Sequence, residues 1–344
     1  MSRPAARPVA RALAVVLTVL VAGCSSPSEP GGSAPTRLGA TFDLQAHRGG
    51  AGLATEESLV AFGKALDLGV STLELDAQVT KDLHVLVAHD PRVNRDNCQD
   101  TRPATQGDPL FPYAGKPYKL LTLAQVRTLD CGYQRAVGFP QQEVVRAPIA
   151  ELAEVFDLVS SRGADDVALN IELKTEADDL DVTVARDVFA ATVWQEVARA
   201  GMESRVTIQS FDWASLSALH RIAPSAALVA LTTPSRLEVG KDGASVWLGG
   251  LDVDDFGGDA VKAAASLPGV VAISPRYDSP VDAGFVERAH AAGLRVVPWT
   301  VDEEDEMRRL IDIGVDGLIT NYPDVLRRVM EQHGLVLPQP DPAR

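Results

Sequence analysis

Cysteine is scarce in this chain: 344 residues hold only three, Cys24, Cys98 and Cys131. None has a CxxC or CxxH neighbour, which argues against a zinc site. Positive charge is short as well, with 32 Lys and Arg against 47 Asp and Glu and a net charge of -15. That balance excludes a general nucleic-acid binder, which needs a basic face, so an anionic substrate must be caught by local positive charge. The apolar run from Leu13 to Ala22 is too short for a stable membrane span. No Gly-rich nucleotide loop is found, which counts against a doubly wound open sheet. What is present is a 46% apolar composition, enough for one large core.

The start of the chain reads as an address rather than as fold. Arg3, Arg7 and Arg11 precede the apolar run, and Leu20-Val21-Ala22-Gly23-Cys24 closes it. Small residues before that cysteine resemble a bacterial lipobox, which implies a signal peptide over 1–23, cleavage before Cys24 and lipidation of Cys24. The alternative is an ordinary secretory signal with an incidental cysteine. Residues 24–40, rich in Ser, Pro and Gly, read as a flexible tether. An exported chain with two cysteines left predicts a Cys98–Cys131 disulfide.

From residue 41 to 335 short apolar strands alternate with helices. Strands are expected at Phe42–Ala46, Thr72–Ala77, Ala168–Leu173, Val206–Gln209, Ala227–Leu231, Val270–Ile273, Leu294–Pro298 and Gly317–Thr320. Helices are expected at Glu56–Leu68, Ile149–Ser160, Val182–Ala200, Trp213–Ile222, Gly258–Ala265, Asp282–Ala292, Glu303–Ile313 and Pro323–Gln332. Continuous apolar strands suit a parallel sheet buried on both faces, and eight such units predict an α/β fold, a (β/α)8 TIM barrel. The stretch 91–146 breaks the alternation and reads as a small insertion after the second strand, covering part of the barrel mouth. It has few large apolar residues and should build little core of its own. Residues 336–344 form a tail.

The polar residues at the strand ends carry the chemistry. Glu74 and Asp76 are two apart on one strand and share a face, as do Glu172 and Lys174. His47-Arg48 follows the first strand, so three neighbouring strands deliver polar groups to the C-terminal rim, where barrel active sites lie. A hairpin with Asp82 and Leu83 at its centre would set His89 opposite Asp76. Three carboxylates select a hard divalent ion, Ca2+ or Mg2+, and two imidazoles can exchange protons near neutral pH.

These motifs resemble, in order, the glycerophosphodiester phosphodiesterase family: His47-Arg48-Gly49, Thr55-Glu56-Glu57-Ser58-Leu59, Glu74-Leu75-Asp76, Thr80-Lys81-Asp82, His89-Asp90, Asn170-Ile171-Glu172-Leu173-Lys174, Gln209-Ser210-Phe211, Trp299-Thr300-Val301 and Asp316-Gly317 with Thr320-Asn321-Tyr322-Pro323-Asp324. The resemblance covers about residues 42–330. It implies His47 and His89 as the acid/base pair, Glu74, Asp76 and Glu172 as metal ligands, Arg48 and Lys174 as phosphate contacts, and Trp299 beside the substrate. The departures are Thr55 and Glu57 in a segment that is usually Pro-Glu-Asn-Thr-Leu, Leu83, Asp302 where Asn is usual and Asn321 where Asp is usual.

The reading is an exported, lipid-anchored hydrolase on the extracytoplasmic face of a bacterial membrane. It would cleave a small glycerophosphodiester to glycerol 3-phosphate and an alcohol. Its alternatives are a phosphodiesterase or lyase acting on a lysophospholipid or sphingolipid, and a non-catalytic phosphate-binding lipoprotein. His84, His220, His290 and His333 are read as structural, Phe211 and Trp213 as packing residues, and the acidic run Asp302 to Glu306 as a solvated helix start.

Overall fold

The computed structural model describes Met1 and residues 41–342. The segments read from sequence as a signal peptide and a tether, with Cys24, lie outside the described residues. No helix among those described is long and apolar enough to cross a membrane.

The chain opens with β1 (Asp43–Ala46), α1 (Leu59–Leu68), β2 (Thr72–Val79) and β3 (Val85–Val87). The stretch 91–146 carries β4 (Cys98–Asp100), α2 (Leu123–Val126) and β5 (Leu129–Cys131). Then follow α3 (Leu152–Arg162), β6 (Ala168–Leu173), α4 (Arg186–Arg199), β7 (Val206–Ser210), α5 (Trp213–Ile222) and β8 (Ala227–Thr232). The last part holds α6 (Pro234–Leu237), α7 (Ala260–Ala265), β9 (Val270–Pro275), α8 (Ala283–Ala291), β10 (Arg295–Val296), α9 (Glu304–Asp312), β11 (Gly317–Thr320) and α10 (Pro323–Gln332).

Eight parallel strands run in the order β10-β9-β8-β7-β6-β2-β1-β11. Asp316 N donates to Val296 O at 2.9 Å and Ile319 N to Pro298 O at 3.0 Å, so the two end strands meet and the barrel is all but closed. The strand predicted over Leu294–Pro298 is regular only at Arg295–Val296, yet these bonds carry the pairing past it.

Along β2, Leu73, Leu75 and Ala77 join the apolar core, and the alternate residues Thr72, Glu74 and Asp76 are buried polar groups. Such groups must find partners, and Thr72 and Glu74 do so within the barrel. Asn170 Nδ2 donates to Gln45 Oε1 and Gln209 Oε1, both at 2.9 Å, while Gln209 Nε2 donates to Glu74 Oε1 at 2.7 Å. Thr72 Oγ1 donates to Asp43 Oδ1 at 2.7 Å. This polar layer seats the carboxylates above it.

The hairpin register differs from expectation by one residue. Ala77 pairs with Val87 and Val79 with Val85, and Ala88 N donates to Asp76 O at 2.9 Å, so Ala88 and not His89 stands opposite Asp76. The turn has three central residues, Lys81-Asp82-Leu83, with Leu83 at φ 64°. A left-handed residue at the end of a three-residue turn is a common hairpin solution, and Leu is a costly occupant.

Residues 91–146 also depart from expectation. Tyr113, Tyr118, Leu121 and Val126 are buried with Leu86, Cys98, Cys131 and Ile149 in a second apolar cluster, so the segment does build a core. It rests on two tyrosines, a source of apolar area that a count of aliphatic residues overlooks. Cys98 and Cys131 face each other across the β4–β5 pair and are joined by a disulfide. Thr55 explains one departure from the family pattern: its N–H donates to Glu143 O at 2.9 Å, and its hydroxyl accepts from Val145 N at 2.8 Å. A proline there could do neither. At the end of the chain Asp341 N donates to Leu66 O, and Arg327 Nη1 to Pro338 O, which lays the tail along the barrel.

Candidate active site

A cavity of about 210 Å³ opens at the C-terminal ends of the strands. His47 and Arg48 enter it from the turn after β1, Glu74 from β2, His89 from the stretch after β3, and Glu172 and Lys174 from the end of β6. Phe211, Leu231 and Trp299 wall the far side. His89 arrives despite the shifted register because it lies beyond the last residue of β3, Val87, where strand alternation no longer fixes direction. Asp76, paired with Glu172 across β2 and β6, sits buried behind this lining.

Each histidine has a defined partner. His47 Nδ1 lies 2.6 Å from Asn321 Oδ1, and Asn321 Nδ2 donates to Asp302 Oδ2 at 2.7 Å. The second bond fixes the amide: its nitrogen faces the carboxylate, so its oxygen faces the ring and His47 Nδ1 must carry the proton. Nε2 is left as the acceptor, 4.0 Å from Glu74 Oε2. The exchange of Asp and Asn between positions 302 and 321 is therefore reciprocal and keeps the chain of bonds. It also corrects the reading of Asp302, which belongs to this network and not to the solvated helix start. His89 Nδ1 pairs instead with a carboxylate, Asp90 Oδ1, at 2.9 Å, and Asn94 Nδ2 anchors Asp90 Oδ2 at 2.6 Å.

Burial, then the Arg48 charge, pushes His47 down to about 3. His89 is also lowered, by burial and Lys174, against an upward pull from Asp76 and Asp90. Glu172 is pushed up to about 8 and Glu74 is raised well above its ordinary range, burial being the first cause for both. Burial would raise Asp76 too, but Lys174 and Arg48 hold it below the usual carboxylate range. The two cations are engaged: Arg48 Nε is 3.0 Å from Asp76 Oδ2 and Arg48 Nη1 2.9 Å from Glu56 Oε2, while Lys174 Nζ is 3.1 Å from Glu172 Oε1.

Glu74, Asp76 and Glu172 each offer a ligand oxygen, and those atoms lie within 4.8 Å of one another. All three are buried, and Asp76 Oδ2 has no aligned hydrogen-bond donor. A fourth carboxylate, Glu57, accepts from Asp76 N at 3.1 Å and is raised by burial and by Asp76. Once ionised, four buried acids would outnumber Arg48 and Lys174, an excess of negative charge that a hard dication would balance. The oxygen donor set fits such an ion.

Several residues of the cavity were missed or misread in the sequence. Gln209 holds Glu74, and Asn321 orients His47. Phe211 is not mere packing: it lines the cavity and meets Trp299 edge to face, with centroids 5.1 Å apart. Trp213 is a packing residue as read, fully buried with Nε1 donating to Leu231 O. Glu176, on the loop after β6, and Arg236, in the short helix α6 after β8, had no sequence signal at all. His84 and His290 are bonded to Glu151 and Asp316, and His333 to Val329 O, away from the cavity.

Strand ends that converge on one mouth, with their ionisable groups desolvated there, define a barrel enzyme. The sequence model of the Glycerophosphoryl diester phosphodiesterase family matches residues 47–325, and the chain belongs to that family. It is 28% identical over 289 residues to a glycerophosphodiester phosphodiesterase of Caldanaerobacter subterraneus, covering 84% of this chain and 98% of the relative. A solved structure from Silicibacter pomeroyi, named for the same family, superposes with TM-score 0.72 at 29% identity, covering 86% of this chain and 95% of the other. An Oleispira antarctica phosphodiesterase, solved with its product sn-glycerol-3-phosphate, shares the fold at TM-score 0.61 and 18% identity, over 85% of this chain and 97% of its own.

Proposed function

We propose that the chain hydrolyses glycerophosphodiesters to glycerol 3-phosphate and an alcohol, with His47 as general base and His89 as general acid. The observation that carries this is the meeting of His47, Glu74, His89, Glu172 and Lys174 around one cavity. The division of labour follows from the partners. A neutral amide on Nδ1 keeps His47 Nε2 free to accept a proton from the attacking hydroxyl, whether of water or of the substrate's glycerol. A carboxylate on Nδ1 of His89 pulls toward the protonated form, against burial and Lys174, and that form can hand a proton to the departing alkoxide. Arg48 and Lys174 pair with the buried acids and line the cavity, where they would meet the substrate's phosphate. Trp299, fixed by its Nε1 bond to Ser274 O, borders the substrate. Ca2+ or Mg2+ held by Glu74, Asp76 and Glu172 would neutralise phosphate charge and polarise its oxygens.

Export and lipidation at Cys24 complete the proposal, placing the enzyme on the outer face of a bacterial membrane. Cys24→Ser should then move the protein from the membrane to the soluble fraction, and retention in the membrane would count against the anchor.

The test is a panel of glycerophosphodiesters and lysophospholipids, with products resolved by mass. Glycerol 3-phosphate and a free alcohol are expected. Turnover of lysophospholipids alone would move the reading to the lipid alternative, and no turnover on either would reject it.

A further inference from the structure

One cation of the cavity touches no acid, although the Glu172, Glu176 and Asp178 carboxylates act on it through space. Arg48 and Lys174 are each in ion pairs, but Arg236 makes no ion pair and no side-chain hydrogen bond among the described residues. Its guanidinium is instead stacked between two rings, 3.9 Å from the centroid of Phe211 and 3.9 Å from that of Trp247. The backbone presents it deliberately. Thr233 caps the short helix α6 by accepting from Arg236 N, and Ser245 Oγ donates to Arg236 O at 2.7 Å. Ser245 also accepts from Trp247 N, so a single side chain ties the cation to one of its rings.

Such an arrangement has two chemical consequences. A stacked guanidinium keeps its in-plane N–H groups free, aimed as a fork that matches a carboxylate or phosphate. It also fills the aromatic faces that a quaternary ammonium would need, since such ligands are recognised by cation–π contact. The scissile phosphate already has Arg48 and Lys174 beside the three metal-type carboxylates, and glycerol has no charge. A further anion in the substrate can come only from the variable alcohol.

Resting on the phosphodiesterase reading above, we propose that Arg236 selects the alcohol half of the substrate. It pairs with an anionic group on that alcohol and bars a quaternary ammonium from the Phe211–Trp247 slot. Glu176 lines the same cavity with no side-chain hydrogen bond or ion pair among the described residues, so an alcohol carrying both a carboxylate and an ammonium suits the pair best. Glycerophosphoserine is the probe with that chemistry. Glycerophosphoethanolamine carries the ammonium alone, and glycerophosphocholine is the substrate the slot should refuse.

The experiment measures kcat/KM of the full chain for these three diesters in wild type, Arg236→Gln and Arg236→Lys, with Tm recorded for each. Wild type should prefer the serine diester to the choline diester by about tenfold or more, the scale of one charge-assisted hydrogen bond. Arg236→Gln should lower the serine value, raise the choline value and close most of that gap. Arg236→Lys keeps the charge and should keep part of the preference. Phosphoserine should inhibit wild type more tightly than phosphocholine, a comparison that needs no variant. A wild type that favours choline would overturn the proposal. So would an Arg236→Gln that lowers all three substrates by one factor, which would make Arg236 a scissile-phosphate contact or a packing residue. Hydrolysis without the preference overturns this inference alone, whereas hydrolysis of none of the three overturns the proposed function with it.

Discussion

The cavity has two unlike halves. The side built by β1, β2 and β6 is crowded with ionisable groups: His47, Arg48, Glu74, Asp76, Glu172 and Lys174, the last four buried and the two cations paired with the acids. The side built after β7, β8 and β10 is walled by the rings of Phe211 and Trp299, with Arg236 stacked between Phe211 and Trp247. The first half can hold an ion and move protons. The second can shape and select but has no group suited to proton transfer. In a barrel, chemistry and selection are thus separated around the rim, and variants in each half should fail in different ways.

The largest effects should come from the ionisable half. His47→Ala and His89→Ala should each lower kcat on the order of 10²–10⁴, the usual weight of a general acid or base. A folded His89→Ala with near-normal turnover would break the comparison. Next comes the ion itself. Glu172→Gln should abolish or sharply weaken Ca2+ binding measured by calorimetry. The affinity of the wild type should also depend on pH. Glu172 is pushed up to about 8 and must lose its proton to bind the ion, so affinity should rise as pH climbs through that value. A flat profile would remove the buried acids from the binding event.

In the aromatic half the damage should be smaller and of another kind. Trp299→Ala should raise KM roughly tenfold with kcat nearly kept, the mark of lost binding common to ground and transition states. A matching fall in kcat would mean that the wall also positions the phosphate. The smallest effect on activity should follow from Cys98→Ser with Cys131→Ser. Opening a loop spanning a separation of 33 residues removes ~3–4 kcal/mol on the chain-entropy model. Limited proteolysis should then cut between Pro91 and Arg146 while the barrel stays folded.

The same division governs what could be read from the sequence. Glu74, Asp76, Glu172 and Lys174 lie on or just past regular strands, where alternation dictates facing and a two-residue spacing is informative. Eight short apolar runs were enough for the barrel, and the strand ends β1, β6 and β11 fall within a residue of expectation. The hairpin register failed because a three-residue turn with a left-handed Leu83 looks no different in sequence from a two-residue one. The helix expected from Val182 begins only at Arg186. Arg236 and Trp247 sit in one-turn helices and Glu176 on a loop, where side-chain directions follow from caps and tertiary contacts and not from any period. The role of Asn321 was hidden in a departure that made sense only beside Asp302.

The most direct test of the account is turnover of a glycerophosphodiester by the full chain after exhaustive chelation, with metal content assayed in the same sample. If the buried carboxylates hold the ion that the ionisable half is built around, activity should fall to background and return on adding Ca2+ or Mg2+. Full turnover in a sample shown to be free of metal would contradict it.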